Sequence, residues 1–272
     1  MPVSYLRSLT GHERNQRANR HLGYALAFNA GAVNAGGFLA VGQYTSHMTG
    51  IVSLMADNIA LGHIAAVISA LVALLTFIVG AVLSTLLINW ARRQRLHSTY
   101  ALALGFEALL LLLFGVMGAR LMDDAPFYIP LTVTLLCLIM GCQNAMITKV
   151  SQAVIRTTHV TGIVTDIGIE LGKLIYWNRS AGPGEDMVLA NRDKLRLHIT
   201  LLVLFFSGGV VGALAFQHFG FTTTIPLALW LLVLAAVPIW DDARRAWLSR
   251  RLQDEAGQQA PAIAEPGTNT PK

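Results

Sequence analysis

Charged side chains are scarce in this sequence. Asp, Glu, Lys and Arg make up 13% of the 272 residues, hydrophobic residues make up 54%, and the mean hydropathy is +0.54. Soluble globular domains carry about 25% charged residues. The composition therefore argues against a soluble protein of this length and indicates an integral membrane protein.

Cysteine is also rare. The two cysteines, Cys137 and Cys142, lie inside one long apolar stretch. This placement provides neither a disulfide framework nor a zinc site. No HExxH or comparable metal-binding pattern occurs in the sequence. We therefore expect no cofactor, and the sequence leaves the presence of a metal open.

Six apolar stretches are long enough to cross a membrane. A helix needs about 20 apolar residues to span the roughly 30 Å hydrocarbon core. Glu107 is the one Asp, Glu, Lys or Arg that falls inside any of these stretches. The sequence predicts transmembrane helices over 21–42, 64–90, 98–118, 125–148, 199–217 and 222–240.

The basic residues orient these predicted helices. With the N-terminus in the cytoplasm, the clusters around Arg20, Arg93 and Arg245 and the region 149–196 all fall on the cytoplasmic side. Of the 20 Lys and Arg residues, only Arg120 falls outside. This asymmetry follows the positive-inside rule, so we expect both termini to be cytoplasmic.

A nine-residue motif occurs twice. Residues 45–53 read TSHMTGIVS and residues 157–165 read TTHVTGIVT, so that six positions are identical and two exchange Ser with Thr. Both copies follow a predicted span that contains an Asn-Ala pair, at Asn34 and at Asn144. This shared order favours an internal duplication over two helices that start alike by chance.

Each motif opens a short apolar segment, over 48–62 and over 160–172. At 1.5 Å per residue each segment would reach only about 20 Å, which is too short to span comfortably. A crossing by either segment would also place a basic loop outside. We interpret both as re-entrant half-helices, which leaves an odd number of crossings in each half and inverts the second half relative to the first.

The predicted fold is an all-α polytopic membrane protein with six transmembrane helices and two short re-entrant half-helices, arranged as two inverted repeats. Its organisation is a cytoplasmic basic arm over 1–20, a first membrane repeat over 21–120, a second, inverted repeat over 121–241 and a cytoplasmic tail over 242–272. We expect disorder from Gln253 onward, because the tail lacks a periodic apolar face. Residues 177–197 are predicted to form a cytoplasmic connection.

The motifs and the short segments supply candidate substrate- or ion-binding residues. A threonine at each helix start predicts an N-cap, and the glycine permits close approach of another backbone. Histidine can relay protons, and a carboxylate at membrane depth costs several kcal/mol unless it is paired, hydrated or protonated. The candidates are His47, Thr49, Gly50, Asp57, Asn58, His159, Thr161, Gly162, Asp166 and Glu170, with Asn34, Gln143, Asn144 and Arg156 as secondary candidates.

Structural roles are open for the same residues. Glu170 could pair with Lys173 near the cytoplasmic surface, the histidines could be ordinary structural residues, and the amides could hydrogen-bond between helices. Glu107 would pair with Arg156 or Lys149 if the fold brings them together. Leu54 occupies the position in the first copy where the second copy has Asp166, so the two halves are not chemically equivalent.

The segments NAGAVNAGGF, HMTG, GCQNA and RTTHVTGIVTDIGIELG carry a family resemblance. Over residues 23–240 the chain resembles the YoaK-like family of bacterial inner-membrane proteins, whose function is unknown. The second-half segment is the most specific of the four. The resemblance implies a multi-pass protein of the bacterial inner membrane, and it supplies neither a substrate nor a catalytic residue.

Three functions compete at this stage. The sequence favours a small-solute or ion transporter or channel, because inverted repeats and intramembrane carboxylates predict a path open to two sides. A membrane-embedded enzyme would use His47, His159, Asp57 and Asp166 in acid-base or metal roles. A non-catalytic scaffold or sensor would use the polar residues to hold helices together. The expected partners are membrane lipid and an unknown small solute or ion, and the basic arm suits anionic lipid rather than nucleic acid.

Overall fold

The computed structural model describes residues 9–10, 16–120, 125–176 and 187–259. Within these ranges the chain forms helices and short connections, with no strand. A 3-10 turn, Gly220–Thr223, separates the last two helices. The helices are α1 (Gln16–Val41), α2 (Met48–Ala60), α3 (Ile64–Arg93), α4 (Ala101–Arg120), α5 (Ala125–Val150), α6 (Val160–Ile175), α7 (Arg192–Phe219) and α8 (Thr224–Gln259).

Five helical stretches of the described chain are long and apolar enough to cross a membrane. They are 16–41, 64–93, 101–119, 129–150 and 192–248. The fifth stretch contains α7 and most of α8, so each of the six predicted spans coincides with one long helix. The expectation of an all-helical protein with several membrane-spanning helices is confirmed, and six crossings stay a prediction.

Helices α1 and α7 form one close pair. Ala32 lies against Gly212, and Gly36 lies against the ring of Phe216. Because the contact positions advance along both helices together, α1 and α7 run parallel. Their closest contact is a reciprocal glycine crossing: a Cβ at Gly31 would meet the carbonyl oxygen of Phe205, and a Cβ at Gly208 would meet that of Phe28.

Helices α3 and α5 form a second pair with the same geometry. A Cβ at Gly80 would meet the carbonyl oxygen of Leu138, and a Cβ at Gly141 would meet that of Phe77. Further along both helices, Lys149 Nζ donates to Asn89 Oδ1 at 2.8 Å, so this pair is also parallel. In both pairs the absence of a side chain brings two backbones together, as in small-residue packing between membrane helices.

The two pairs run in opposite directions. Gly37 of α1 lies against Leu136 of α5, whereas Gly23 lies against Ile155 beyond the end of α5, so α1 and α5 are antiparallel. It follows that α1 is antiparallel to α3, and α5 to α7. We call the end of the bundle where α1 and α7 begin the basic end, because Arg20, Arg92 and Lys149 lie there.

Helices α4 and α8 pack against each other in antiparallel fashion. Gly115 lies against Thr224, and Gly105 lies against Ile239 near the basic end. There Asp242 accepts hydrogen bonds from the backbone N–H groups of His97 and Ser98, at 2.9 and 2.7 Å. Helix α4 also packs on α5.

On the other side of the bundle, a cavity of about 590 Å³ separates α8 from the α1–α7 pair. Its lining is almost entirely apolar, with contributions from Phe28, Val211 and Trp230. A helix that leaves such a gap is less tightly packed than α4, which meets α5 directly.

Two boundaries differ from the sequence prediction. Helix α7 begins at Arg192 rather than at 199, because Asn191 caps it by accepting a hydrogen bond from the Lys194 backbone N–H at 3.0 Å. Helix α8 continues through Gln259, past the predicted end of the span at 240, and the expected disorder of the tail from Gln253 stays a prediction. The charged and amide residues after Trp240 are good helix formers, which polarity alone did not reveal. Residues 260–272 of the predicted tail, and 177–186 of the predicted connection, lie outside the described residues.

Candidate functional site

Each copy of the motif begins with two buried residues, Thr45 and Ser46 in the first and Thr157 and Thr158 in the second. The motif residues His47, Thr49, His159 and Thr161 are exposed. Ser46 Oγ donates to Asn34 Oδ1 at 2.9 Å, and Thr158 Oγ1 donates to Asn144 Oδ1 at 2.6 Å. Each of these asparagines sits about 10 Å from the end of its long helix, at 1.5 Å per residue. The chain therefore enters through a non-helical connection of bends and turns, and each short helix begins part-way along the bundle axis and returns toward the end from which the chain entered.

Both motifs also contact one face of α5. The thiol of Cys137 lies 3.6 Å from the carbonyl oxygen of Thr45, and Asn144 bonds to Thr158 as described above. Positions 137 and 144 are two helical turns apart and share a face, about 10 Å from each other along the axis. Helix α5 therefore links the inner ends of the two short helices.

The inner end of each short helix is a histidine rather than a threonine. His47 and His159 occupy the N-cap positions, and neither side chain makes a capping hydrogen bond. The expectation that Thr49 and Thr161 act as N-caps is wrong, since both lie in the first helical turn, where their φ and ψ are already helical. His47 stacks on Tyr44 with ring centroids 4.9 Å apart, and the His159 ring lies over Gly162. Gly50, by contrast, faces open space.

A buried polar residue ties each short helix to the next long helix. Asn58 Nδ2 donates to the carbonyl oxygen of Leu54 at 2.7 Å, and its Oδ1 lies 3.1 Å from Nδ1 of His63, the N-cap residue of α3. Glu170 Oε2 accepts a hydrogen bond from the backbone N–H of Asn191, the N-cap residue of α7, at 2.7 Å. Asn58 and Glu170 thus perform the same tethering task in the two halves.

Neighbouring hydrogen-bond donors compensate the negative charge of Glu170. Besides the Asn191 N–H, its carboxylate accepts a hydrogen bond from Lys173 Nζ at 3.0 Å. The Asn191 bond, followed by the Lys173 bond, lowers the pKa of Glu170 below its ordinary value. The pairing of Glu170 with Lys173, which the sequence offered as a structural role for this carboxylate, is therefore present. Asp57, one residue before Asn58, is exposed.

Asp166 has a different environment, on the wall of a cavity of about 500 Å³. Its carboxylate bonds to Lys194 Nζ at 3.0 Å and lies 3.6 Å from Nε2 of His198, a buried side chain. The Lys194 hydrogen bond is the main cause that lowers the pKa of Asp166, and the charge of Arg156 contributes in the same direction. Because Leu54 takes the corresponding place in the first half, this charged cluster belongs to the second half alone.

Among the described residues, the most deeply buried carboxyl group has a partner that the sequence did not indicate. Glu107, at 1% exposure, accepts a hydrogen bond from Gln143 Nε2 at 2.8 Å. The expected pairing with Arg156 or Lys149 is wrong, because Lys149 bonds to Asn89 at the basic end. The amide oxygen of Gln143 is buried without a partner among the described residues. Glu107 could be singled out from the sequence because it is the one acidic residue in an apolar span. Its partner Gln143 could not, because the two residues lie on different helices and no sequence spacing relates them.

Six further buried side chains carry a polar atom with no hydrogen-bond partner within the described chain: Asn29, Ser84, Thr132, Thr157, His198 and Thr223. Both amide atoms of Asn29 on α1 and the hydroxyl of Thr157, which begins the second motif, have no hydrogen-bond partner there. Buried polar groups in proteins are nearly always paired, with protein or with water. Among the described residues, no three His, Cys, Asp or Glu side chains lie together as a metal site.

Comparison with known proteins places the chain in a family. The profile of the family described as "Protein of unknown function (DUF1275)" matches residues 22–237. The UPF0700 transmembrane protein YoaK of Bacillus subtilis (strain 168) is 26% identical over 224 residues, which are 79% of this chain and 92% of the relative. No solved structure matches. The resemblance drawn from the sequence segments is confirmed, and the chain is a membrane protein that belongs to the DUF1275 family.

Proposed function

We propose that this protein is a small-solute or ion transporter or channel, with its site between the inner ends of α2 and α6. One observation carries the proposal: the two short helices begin part-way along the bundle axis, beside Asn34 and Asn144, and end at opposite ends of the bundle. Helix α2 leads to the start of α3, and α6 leads to the start of α7 at the basic end. Half-helices of this kind form midplane sites in many transporters.

The proposal includes two inverted repeats, α1–α4 and α5–α8. The reciprocal glycine crossings support it, because exchanging the halves converts the α1–α7 crossing into the α5–α3 crossing. In this exchange Gly31 corresponds to Gly141, three residues before Asn34 and Asn144 respectively. The two hydroxyl-to-asparagine bonds then coincide as well.

Helix directions support six crossings with cytoplasmic termini. Since α1 is antiparallel to α3, and α5 to α7, neither short helix adds a net crossing. The basic end carries Arg20, Arg92, Lys149 and Lys194, so the positive-inside rule assigns it to the cytoplasm. The bacterial inner membrane is the membrane that the family resemblance implies.

The chemistry of the inner ends suits a polar solute. The first N–H groups of a helix lack intrahelical partners and carry a positive partial charge. Neither His47 nor His159 caps these groups with its side chain, which keeps them accessible to a solute or to water. Thr157, at the start of the second motif, supplies a further polar group without a partner among the described residues.

Flux through purified protein in proteoliposomes tests the proposal. The panel would contain small neutral, anionic and cationic solutes, with a pH-sensitive dye inside the vesicles to report proton movement. We expect at least one solute to enter faster than into protein-free vesicles. Folded, reconstituted protein that passes no member of the panel would contradict the proposal and favour the scaffold or sensor.

Matched variants separate the site from the fold. Ser46→Ala removes one motif hydroxyl without adding bulk, and Thr158→Val removes the other at nearly constant volume. We expect either to reduce flux at least about tenfold, through a loss of near 1.4 kcal/mol of positioning energy. Thr200→Val is the control, because the Thr200 hydroxyl is exposed and bonds only to its own helix, at the carbonyl oxygen of Arg196. Equal loss in all three variants would contradict a role for the motifs.

A further inference from the structure

A second cavity, of about 600 Å³, opens at the basic end. It lies between the start of α1, the ends of α3 and α5, and the connection that follows α5. Three cationic side chains line it, Arg20 from α1, Arg92 from α3 and Lys149 from α5, and none of its described lining residues is acidic. This cavity plays no part in the proposed path between the short helices.

The bonds made by these cations leave their charge uncompensated. Arg92 Nη2 donates to the hydroxyl of Tyr100 at 3.1 Å, and Lys149 Nζ donates to the amide oxygen of Asn89 at 2.8 Å. Both acceptors are neutral, so the bonds orient the cations without neutralising them. Arg92 and Lys149 are also close enough to repel each other. No ion pair neutralises any of the three within the part of the chain that the structure describes.

The neighbouring cavity of about 500 Å³ differs because its lysine is paired with a carboxylate. There Lys194 meets the carboxylate of Asp166 at 3.0 Å, and Asp193 lies on the same wall. The two cavities share Arg20, Val154 and Leu197. At the basic end, therefore, the smaller cavity has the carboxylates of Asp166 and Asp193 on its wall, whereas the larger cavity has three cations and no carboxylate among its described lining residues. Arg20 borders both cavities.

We propose that the 600 Å³ cavity binds a phosphate group, as part of an anionic phospholipid headgroup or of a small phosphorylated solute. Arginine suits this ligand, because its planar fork can donate two parallel hydrogen bonds to phosphate oxygens, and lysine adds a point charge. A bound phosphate would also relieve the repulsion between Arg92 and Lys149. The volume falls within the usual range for small-ligand sites and exceeds what inorganic phosphate fills. Basic pockets between membrane helices on the cytoplasmic side are known to take lipid headgroups.

Binding by the full chain tests the site without any flux measurement. The protein is held in nanodiscs of zwitterionic phosphatidylcholine. One arm titrates inorganic phosphate and glycerol phosphate and follows binding by calorimetry. The other arm adds phosphatidylglycerol to the discs and counts retained lipids by native mass spectrometry. The variants are Arg92→Gln and Lys149→Gln, and the control is Arg93→Gln, since Arg93 is exposed at the same helix end and does not line the cavity.

We expect wild type and Arg93→Gln to bind a probe with equal affinity, and Arg92→Gln and Lys149→Gln to bind it about tenfold or more weakly. Binding of phosphate or glycerol phosphate assigns the site to a solute, and retention of phosphatidylglycerol alone assigns it to lipid. Absence of binding in both arms would overturn the proposal, as would equal weakening by Arg93→Gln, which would indicate only general surface charge. Melting temperatures show whether each variant is folded, and a misfolded Lys149→Gln leaves Arg92→Gln as the deciding variant. The binding measurement uses no gradient, so it is independent of transport. A negative binding result would leave the transport proposal standing, and a negative flux result would leave the proposed phosphate site standing.

Discussion

Gly31 and Gly208 face each other across the α1–α7 crossing. A methyl group on either one would meet the carbonyl oxygen of the residue one turn before the other, Phe205 or Phe28. Neither contact can be relieved by rotating a side chain, because the obstructing atoms are backbone. The distance between the helices therefore depends on glycine at both positions.

Gly208→Ala is expected to destabilise the protein by about 1–3 kcal/mol, the usual cost of inserting a methyl group into a packed contact. Gly141→Ala should do the same at the α3–α5 crossing, where its Cβ would meet the carbonyl oxygen of Phe77. Thermal unfolding in detergent measures both. Gly50→Ala and Gly168→Ala are the controls, because a Cβ at either position meets nothing within 4 Å. They should leave stability unchanged or slightly raised, and equal destabilisation in all four variants would contradict the close-contact argument.

Asp166 should contribute stability that depends on pH. Its pKa is lowered in the folded protein, chiefly by the Lys194 hydrogen bond, so its contribution is present above the unfolded-state pKa and is lost as pH falls through the folded-state value. Asp166→Asn should therefore unfold at a lower temperature than wild type near pH 7, with the difference shrinking below pH about 4. Asp57→Asn is the matched control, since Asp57 is exposed on α2. A difference between Asp166→Asn and wild type that stays constant from neutral to acid pH would contradict the ion pair.

The proposed orientation predicts a labelling pattern. In a background without Cys137 and Cys142, single cysteines at Gln43 and Phe219 should react with an impermeant thiol reagent in intact cells. Cysteines at Gln94 and Met187, which are exposed near the basic end, should react only after the membrane is opened. Reaction of Gln94→Cys in intact cells would reverse the assignment of the basic end to the cytoplasm.

The proposed shared site predicts a short distance between the motifs. Both motifs contact one face of α5 about 10 Å apart, so spin labels at Thr49 and Thr161 should lie within about 15 Å of each other. Pulsed electron resonance on the doubly labelled protein measures the separation. Labels at Gln43 and Gln94, near opposite ends of the bundle, provide the long-distance control. A Thr49–Thr161 separation close to that of the control pair would rule out a common site.

Hydropathy was sufficient to predict the long helices and the two short ones. The thickness of a membrane sets the length of a span, so 48–62 and 160–172 could be separated from the others by length alone. The sequence also showed that an Asn-Ala pair, at Asn34 and at Asn144, precedes each motif, and the structure adds the hydrogen bonds from Ser46 and Thr158 to these asparagines. Local pattern and local contact coincide at these positions.

Contacts between residues that are distant in the sequence could not be predicted from hydropathy or from local sequence patterns. The partner of Glu107 is Gln143, one helix further on, and neither residue has a spacing that marks the other. The reciprocal contacts of Gly80 and Gly141 likewise depend on how two helices cross. The N-cap of α2 is His47 rather than Thr49, and the motif sequence alone did not distinguish the two positions.

The apolar cavity beside α8 has a consequence for the proposed repeat. Helix α4 packs directly on α5 and is joined to it by the Glu107–Gln143 bond, whereas the cavity of about 590 Å³ separates α8 from α1 and α7. If the two halves are alike, exchanging their arrangements would close this cavity and open another between α4 and α5, breaking the Glu107–Gln143 bond. The two proposed halves would then differ in packing in the described conformation, with α4 closed against α5 and α8 held apart from α1 and α7.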